Sequence, residues 1–408
     1  MRYQAIYFIT LFGMAFYSMV DTASAQIRIA KPAGEKIGVS LNSLSVEPGP
    51  AADLFIATLR DNIERSGWLT VTGSGRADVA VSGSVNQRRN DVRAEIRAVG
   101  VHNQQNYLRQ AYRHPADDVR RLAHQVVDDL VYAVTGHRGI ATTRIIFVGQ
   151  EGRNRELFMM DADGGNFEQW TRDGSVSVRP RWGPTPDKVT YTSYINHFPD
   201  VFLIDLRSGN RTAVAEYSGL NSGGVLSPSG NEMAVILSKD GNPELYVKDL
   251  KSGRLTRLTH TLQANEASPS WSPDGRHIVY VSDQAGPPHL YIISRQGGPP
   301  RRLTTRGNEN VAPDWGPNGL IAFASRVGRQ YHLVVMDPEG NEVYRFSDRG
   351  DASYEDPSWA PNGRHIVLGR RENFRSQIYI IDTLGDPPVR LTPSEGEWLS
   401  PAWSPHQP

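Results

Sequence analysis

The side chains that could do chemistry in this chain are few, and their spacing excludes more than it offers. Asp161-x-Asp163-Gly164 has the opening of a calcium loop, but no glutamate follows at the offset that would complete the coordination, so a turn is expected. Glu266, Tyr354, Glu355 and Trp398 form a second set: two carboxylates and two aromatic rings could hold a sugar, although carboxylates hydrolyse a glycoside only at a suitable separation. There is no His-Glu-x-x-His run and no Cys/His cluster. A propeller-bearing serine peptidase would need a following hydrolase domain with a Gly-x-Ser-x-Gly elbow, and the sequence up to Pro408 contains neither. No catalytic residue, metal or cofactor is therefore expected, and an exported glycan-binding or glycan-processing protein is the alternative to a purely binding function.

The elements that must position these residues repeat. Ser268-Pro269-Ser270-Trp271-Ser272-Pro273-Asp274-Gly275 is followed by a run from Ile278 to Ser282, another from Leu290 to Ile293, and Arg302-Leu303-Thr304. The anchor of this pattern recurs as Trp182, Leu226, Trp271, Trp315, Trp359 and Trp403, with spacings of 44, 45, 44, 44 and 44 residues. A fixed period of this size marks an array of structural repeats. Each repeat holds four short runs rich in Val, Ile, Tyr and Thr, separated by Pro-Asp-Gly-like turns in which glycine takes positive φ freely, which describes a four-stranded antiparallel blade. The tryptophans are read as plates packing one blade on the next. Few residues follow Trp403, so the strand from Leu399 to Trp403 is expected to be the inner strand of a blade whose other strands are Ile145 to Val148, Leu157 to Asp161 and Phe167 to Thr171. The result is a six-bladed β-propeller closed by pairing its two ends, which removes exposed sheet edges.

The N-terminal third is different. Residues 1–25 carry an early Arg2, an apolar run and Ala23-Ser24-Ala25, the signature of a secretory signal peptide. Residues 26–139 are expected to form a small α/β domain and residues 140–408 the all-β propeller. Val119, Leu122, Ala123, Val126, Val127, Leu130, Val131 and Val134 have helical spacing, with Gly136 where a C-cap belongs. A second helix is expected from Ala51 to Ser66 with Leu54, Ile56, Leu59 and Ile63 inward. Strands are expected at Ile37 to Leu41, Trp68 to Val71, Val79 to Gly83 and Val92 to Val99. Lys plus Arg and Asp plus Glu are equal at 44 each, so no basic excess argues for nucleic acid, and the absence of Cys excludes disulfides and thiolate metal sites. No later segment is apolar enough to span a bilayer, and a monomer peripheral to the membranes is expected.

The stretch Leu122-Ala123-His124-Gln125-Val126-Val127-Asp128-Asp129, with Leu130-Val131-Tyr132, Thr135-Gly136, Arg138-Gly139 and Thr143-Arg144-Ile145, resembles the domain junction of the TolB family. Asp161-Ala162-Asp163-Gly164, Leu237-Ser238-Lys239-Asp240-Gly241-Asn242 and Pro357-Ser358-Trp359-Ala360-Pro361-Asn362-Gly363 add to the resemblance. It implies a periplasmic, non-enzymatic adaptor of the Tol-Pal envelope system, serving outer-membrane integrity and constriction at division. Such an adaptor binds the lipoprotein Pal on its propeller and TolA through its extreme N-terminus, here Gln26, Ile27, Arg28, Ile29 and Ala30. That alternating segment could add a strand to a partner sheet, dock on the body, or serve as the first strand of the α/β domain. The chain departs from the family pattern at Leu220 to Gly224, where His-Asn-Gly-Ala-Pro is usual, at Leu226 and at Ser282 to Gly286.

In a propeller the loops entering the innermost strands crowd the axis on one face. Residues repeated in every blade are scaffold, which assigns His277 and His365 to packing, whereas unique ones are binding candidates. On that test the Pal-type face comprises Asn221, Asn265, Glu266, Asn308, Asn310, Tyr354, Glu355 and Trp398, with Tyr354 and Trp398 as anchors. Arg326, Arg329, Arg370, Arg371 and Arg375 read as a solvated basic rim.

Overall fold

The computed structural model describes residues 28–29, 31, 34–347 and 350–407. The signal-peptide expectation and Gln26, Ile27 and Ala30 lie outside the described residues. The N-terminal unit is a five-stranded sheet of β1 (Ile37–Val46), β2 (Leu69–Val71), β3 (Val79–Arg88), β4 (Asp91–Gly100) and β5 (Asn106–Pro115), in the order β2-β1-β3-β4-β5. β1 pairs in parallel with β2 and β3, and the remaining pairs are antiparallel. Strict alternation of buried and exposed residues along β4 shows a sheet covered on one face only. That cover is α1 (Pro50–Arg65) and α2 (Val119–Thr135), whose apolar residues join Val79, Val81, Ala94 and Ile96 in one core.

Two expectations change here. Leu54 points to solvent at 41 % exposure, while Phe55 is buried because it stacks in helical register with Leu59 and Ile63. The strand β5 was not foreseen: only Tyr107 and Tyr112 are buried along it, and an edge strand with so few inward residues leaves little periodic signal. α2 ends on Gly136, left-handed at φ 79°, whose N–H donates to Tyr132 O at 2.8 Å.

From Arg144 onward the chain makes six four-stranded antiparallel sheets. The inner strands are Ser177–Trp182, Asn221–Leu226, Glu266–Trp271, Glu309–Trp315, Ser353–Trp359 and Trp398–Trp403, taken as blades one to six. In blade six Trp403 pairs with Ile145 and Leu399 with Val148, so the end of the chain supplies the innermost strand of the sheet begun by Arg144–Glu151.

Every inner strand carries a bulge at one place, and the residue there is left-handed: Arg179 (φ 53°), Gly223 (65°), Ser268 (48°), Ala312 (52°), Asp356 (49°) and Ser400 (46°). All six line a single axial cavity of about 30 Å³, which identifies these strands as the ones around the axis. Only blade two places glycine at this sterically costly position.

The anchors lock neighbouring blades by hydrogen bonds as well as packing. The indole N–H of Trp182 donates to Ala402 O and that of Trp271 to Val225 O, each at 3.0 Å. Where the residue before the neighbouring anchor is polar, the bond changes form: the backbone N–H of Trp315 donates to Ser270 Oγ (3.0 Å), that of Trp359 to Asp314 Oδ2 (2.7 Å) and that of Trp403 to Ser358 Oγ (3.2 Å). In four blades a threonine two residues beyond the outer strand accepts from a third-strand N–H: Thr171 from Leu157, Thr259 from Leu245, Thr304 from Leu290 and Thr392 from Ile378. This pairing explains the recurring Leu-Thr of the repeat.

Candidate functional site

The unit of α1 and α2 sits against hairpins that lead away from the entering loops. Asn62 and Arg120 reach Asp163, between the third and fourth strands of blade six, and Lys36 pairs with Asp386 at the equivalent turn of blade five at 2.8 Å. Trp68 lies between His137, stacked at 4.2 Å, and Arg364, 4.4 Å from the ring centre, on the first hairpin of blade five. The opposite face, built by the entering loops and the hairpins between second and third strands, is the open one.

The eight residues predicted for that face separate into two groups. Asn221, Glu266, Asn310 and Tyr354 are each at most 2 % exposed, so they are not contact anchors but parts of the scaffold. Asn221 and Asn310 each donate Nδ2–H to the carbonyl four residues earlier, Tyr217 at 2.7 Å and Arg306 at 2.8 Å, tying their loops closed. Tyr354 packs edge-on against Phe346 at 5.2 Å between ring centres. Glu266 accepts from Ser282 Oγ at 2.9 Å. Burial and then the neighbouring carboxylates Glu244 and Asp283 push its pKa up to about 7, against the hydrogen bonds from Ser282 and Thr261.

Asn265 and Asn308 are exposed and Glu355 and Trp398 half-buried, so these four remain on the surface. Asn265 is positioned by Asp283, which takes its N–H at 2.7 Å and its Nδ2–H at 2.9 Å. Trp398 leans edge-on into Phe158 and Phe167, with ring centres 5.2 and 5.1 Å away. Burial and Asp356 raise the pKa of Glu355.

None of Glu266, Tyr354, Glu355 and Trp398 lines the axial cavity of about 30 Å³ at the six bulges. The basic rim is largely paired, Arg326 with Glu309 at 2.7 Å and Arg370 with Glu372 at 2.8 Å. His365 is buried as expected and shares a hydrogen bond with Asn362 at 3.0 Å, whereas His277, expected to pack, is exposed.

Sequence reasoning missed the most prominent groups of the open face. Phe198 in blade one is 70 % exposed, Phe374 in blade five 89 %, and Leu262, on the loop entering blade three, 97 %. Tyr194 and Ile195 stand beside Phe198 at 39 % and 41 %. The first two sit on hairpins between second and third strands, outside the entering loops that were searched. A large apolar residue inside a run of turn formers, as in Asn196-His197-Phe198-Pro199, is the signal that would have found one of them.

Of the N-terminal segment, Ile29 donates its N–H to Val134 O at 3.0 Å and packs on the core of the helical layer. The Arg28 guanidinium lies over Tyr132, 5.9 Å from the ring centre. These two residues are docked on the end of α2 and belong to no strand, so of the alternatives raised for the segment the first-strand one fails at the residues described; the sheet begins at Ile37.

The family model for the TolB β-propeller domain matches residues 131–407. The chain is 32 % identical over 328 residues to the Tol-Pal system protein TolB of Gluconobacter oxydans, covering 77 % of this chain and 71 % of that protein. To the TolB of Bordetella pertussis it is 30 % identical over 290 residues, covering 71 % of this chain and 66 % of that one. The crystal structure of TolB from Acinetobacter baumannii superposes with a TM-score of 0.79 at 26 % identity, over 93 % of this chain and 99 % of that one. The α/β layer, the six blades and their junction thus recur together, and the chain belongs to the TolB family of Tol-Pal system proteins.

Proposed function

We propose that this protein is a periplasmic, non-enzymatic adaptor that binds Pal on the open face of its propeller and TolA through residues 26–30, in the service of outer-membrane integrity and constriction at division. Its two modules are residues 26–139 and 140–408. The observation that carries the reading is that Phe198, Leu262 and Phe374 expose large apolar side chains on the face turned away from the α/β layer. Solvated loops ordinarily scatter such groups singly, whereas Phe198 has Tyr194 and Ile195 beside it on one hairpin, a grouping of the kind that marks a protein-binding surface. Asn265, Asn308, Glu355 and Trp398 supply polar and amphipathic contacts among them.

The test is calorimetric titration of residues 26–408 with the soluble domain of Pal from the same organism, and separately with peptidoglycan fragments. Saturable one-to-one binding to Pal is expected. Binding to glycan alone would replace the adaptor by a glycan-binding propeller.

A further inference from the structure

On the side of the molecule opposite the proposed Pal face, a cleft of about 560 Å³ opens between α2 and the segment that leaves blade six. Its lining includes Arg121, Asp128, Tyr132, Arg138, His406 and Gln407. The acid at its base is already committed. Asp128 accepts the N–H of Ala141 at 2.8 Å, the N–H of Thr142 at 2.9 Å and the Thr142 hydroxyl at 2.6 Å. The neighbouring Asp129 takes the Tyr112 hydroxyl at 2.8 Å on Oδ2.

The donors are not committed. Among the described residues Arg121 and Arg138, both exposed, make no hydrogen bond or ion pair, and the buried Gln407 Nε2 has no partner. Two free guanidinium groups and an orphaned amide N–H around one concavity are a donor set for an oxyanion, since guanidinium matches carboxylate and phosphate oxygens two at a time. We propose that this cleft binds a small molecule bearing a phosphate or carboxylate group, held by Arg121 and Arg138 with Gln407 as a third donor.

His406, on the wall, supports the assignment. Burial and then the Arg138 charge lower its pKa to about 4, while the Pro361 backbone raises it. An anion beside Arg138 would offset that charge. The ring of Tyr132 is shared between the cleft and the docked Arg28, so a ligand there touches the group that holds the N-terminal segment. The proposal does not depend on the adaptor reading.

Residues 26–408, in a buffer free of both anions, are titrated calorimetrically with inorganic phosphate and with succinate. Saturable one-to-one binding of at least one is expected, weakened about tenfold or more in Arg121→Ala and in Arg138→Ala. Both positions are exposed, so the urea midpoint should not move. Binding of phosphate alone, or of succinate alone, identifies the source of the oxyanion. As a readout on the unaltered chain, the His406 pKa followed by proton NMR should rise by about one unit at saturation. No saturable heat with either anion, unchanged affinity in both variants, or an unmoved His406 titration at saturation overturns the proposal.

Discussion

Arg120 of α2 places Nη2 2.6 Å from each carboxylate oxygen of Asp163, a residue of the propeller. The same carboxylate meets His124 Nε2 at 3.0 Å and Asn62 Nδ2 at 2.8 Å, so one acid of blade six ties both helices of the α/β layer to the ring. Removing one partner of a buried pair leaves the other charge without compensation. Asp163→Ala should therefore destabilise the chain by about 3 kcal/mol or more in urea unfolding. Burial would raise the pKa of Asp163, but the hydrogen bonds and charge of His124, with Asn62 and the Gly165 N–H, hold it well below the usual carboxylate range. A depressed pKa contributes stability above the unfolded value near 4 and loses it as pH falls further. Wild type should lose stability below pH about 4 more steeply than Asp163→Asn.

Glu266 has the opposite sign. Its folded pKa of about 7 exceeds an unfolded value near 4.5, so its contribution is present below pH about 4.5 and declines as pH rises to about 7. The decline amounts to about 3 kcal/mol at most. Glu266→Gln keeps an acceptor for Ser282 and should flatten that slope, leaving the variant the more stable protein at pH 8 by urea titration.

For Pal, Phe198→Ala and Phe374→Ala should each weaken binding by about 1 to 3 kcal/mol while changing folding stability by less than about 0.5 kcal/mol. Tyr354→Ala should behave in the reverse manner, costing about 3 kcal/mol of stability because its ring is buried. Calorimetry beside urea unfolding separates the two classes. Full Pal affinity in both phenylalanine variants would move the interface elsewhere.

Deleting residues 26–30 should leave the unfolding midpoint near that of the full chain and abolish TolA binding. Ile29 contributes one backbone hydrogen bond and a partly buried side chain, which limits the stability loss to about 1 to 2 kcal/mol. Undiminished TolA affinity, measured by calorimetry, would remove this segment from the interface.

The axial bulges allow a stabilising change. Ala312 holds φ 52° where blade two has Gly223 at 65°. Ala312→Gly should raise stability by up to about 1 kcal/mol, because relief of the left-handed strain outweighs the entropy that glycine adds to the unfolded chain. A lower urea midpoint would show that the alanine methyl packs usefully there.

Much of the architecture was legible because a propeller repeats its physics. The anchor spacing, the Pro-Asp-Gly turns and the deficit of strands after Trp403 led to six blades and to their closure. β5 and the inward face of α1 were harder, since an edge strand with two buried tyrosines and a helix with Leu54 beside Phe55 each present an ambiguous apolar pattern. The candidate site was less legible for a different reason. Uniqueness within a repeat does not distinguish a surface group from one that satisfies its own loop, so Asn221 and Asn310 looked like contacts while they close backbone turns. Exposure is a property of where hairpin tips end in space, and Phe374 is visible as an outlier only once that space is known.

The pairing of Trp403 with Ile145 also sets a clock. The indole of Trp403 donates to Thr143 Oγ1 across 260 positions of chain. Blades one to five draw all their strands from residues 177–390, yet blade six lacks its inner strand until residues 398–403 join it. Contacts this distant in sequence form slowly, because a long loop must be closed before they reward it. Until then the edge of the strand Arg144–Glu151 stays open to pairing with other chains. The interval between synthesis of Ile145 and synthesis of Trp403 is thus when this protein is most vulnerable to aggregation and proteolysis, and when a chaperone would have most to protect.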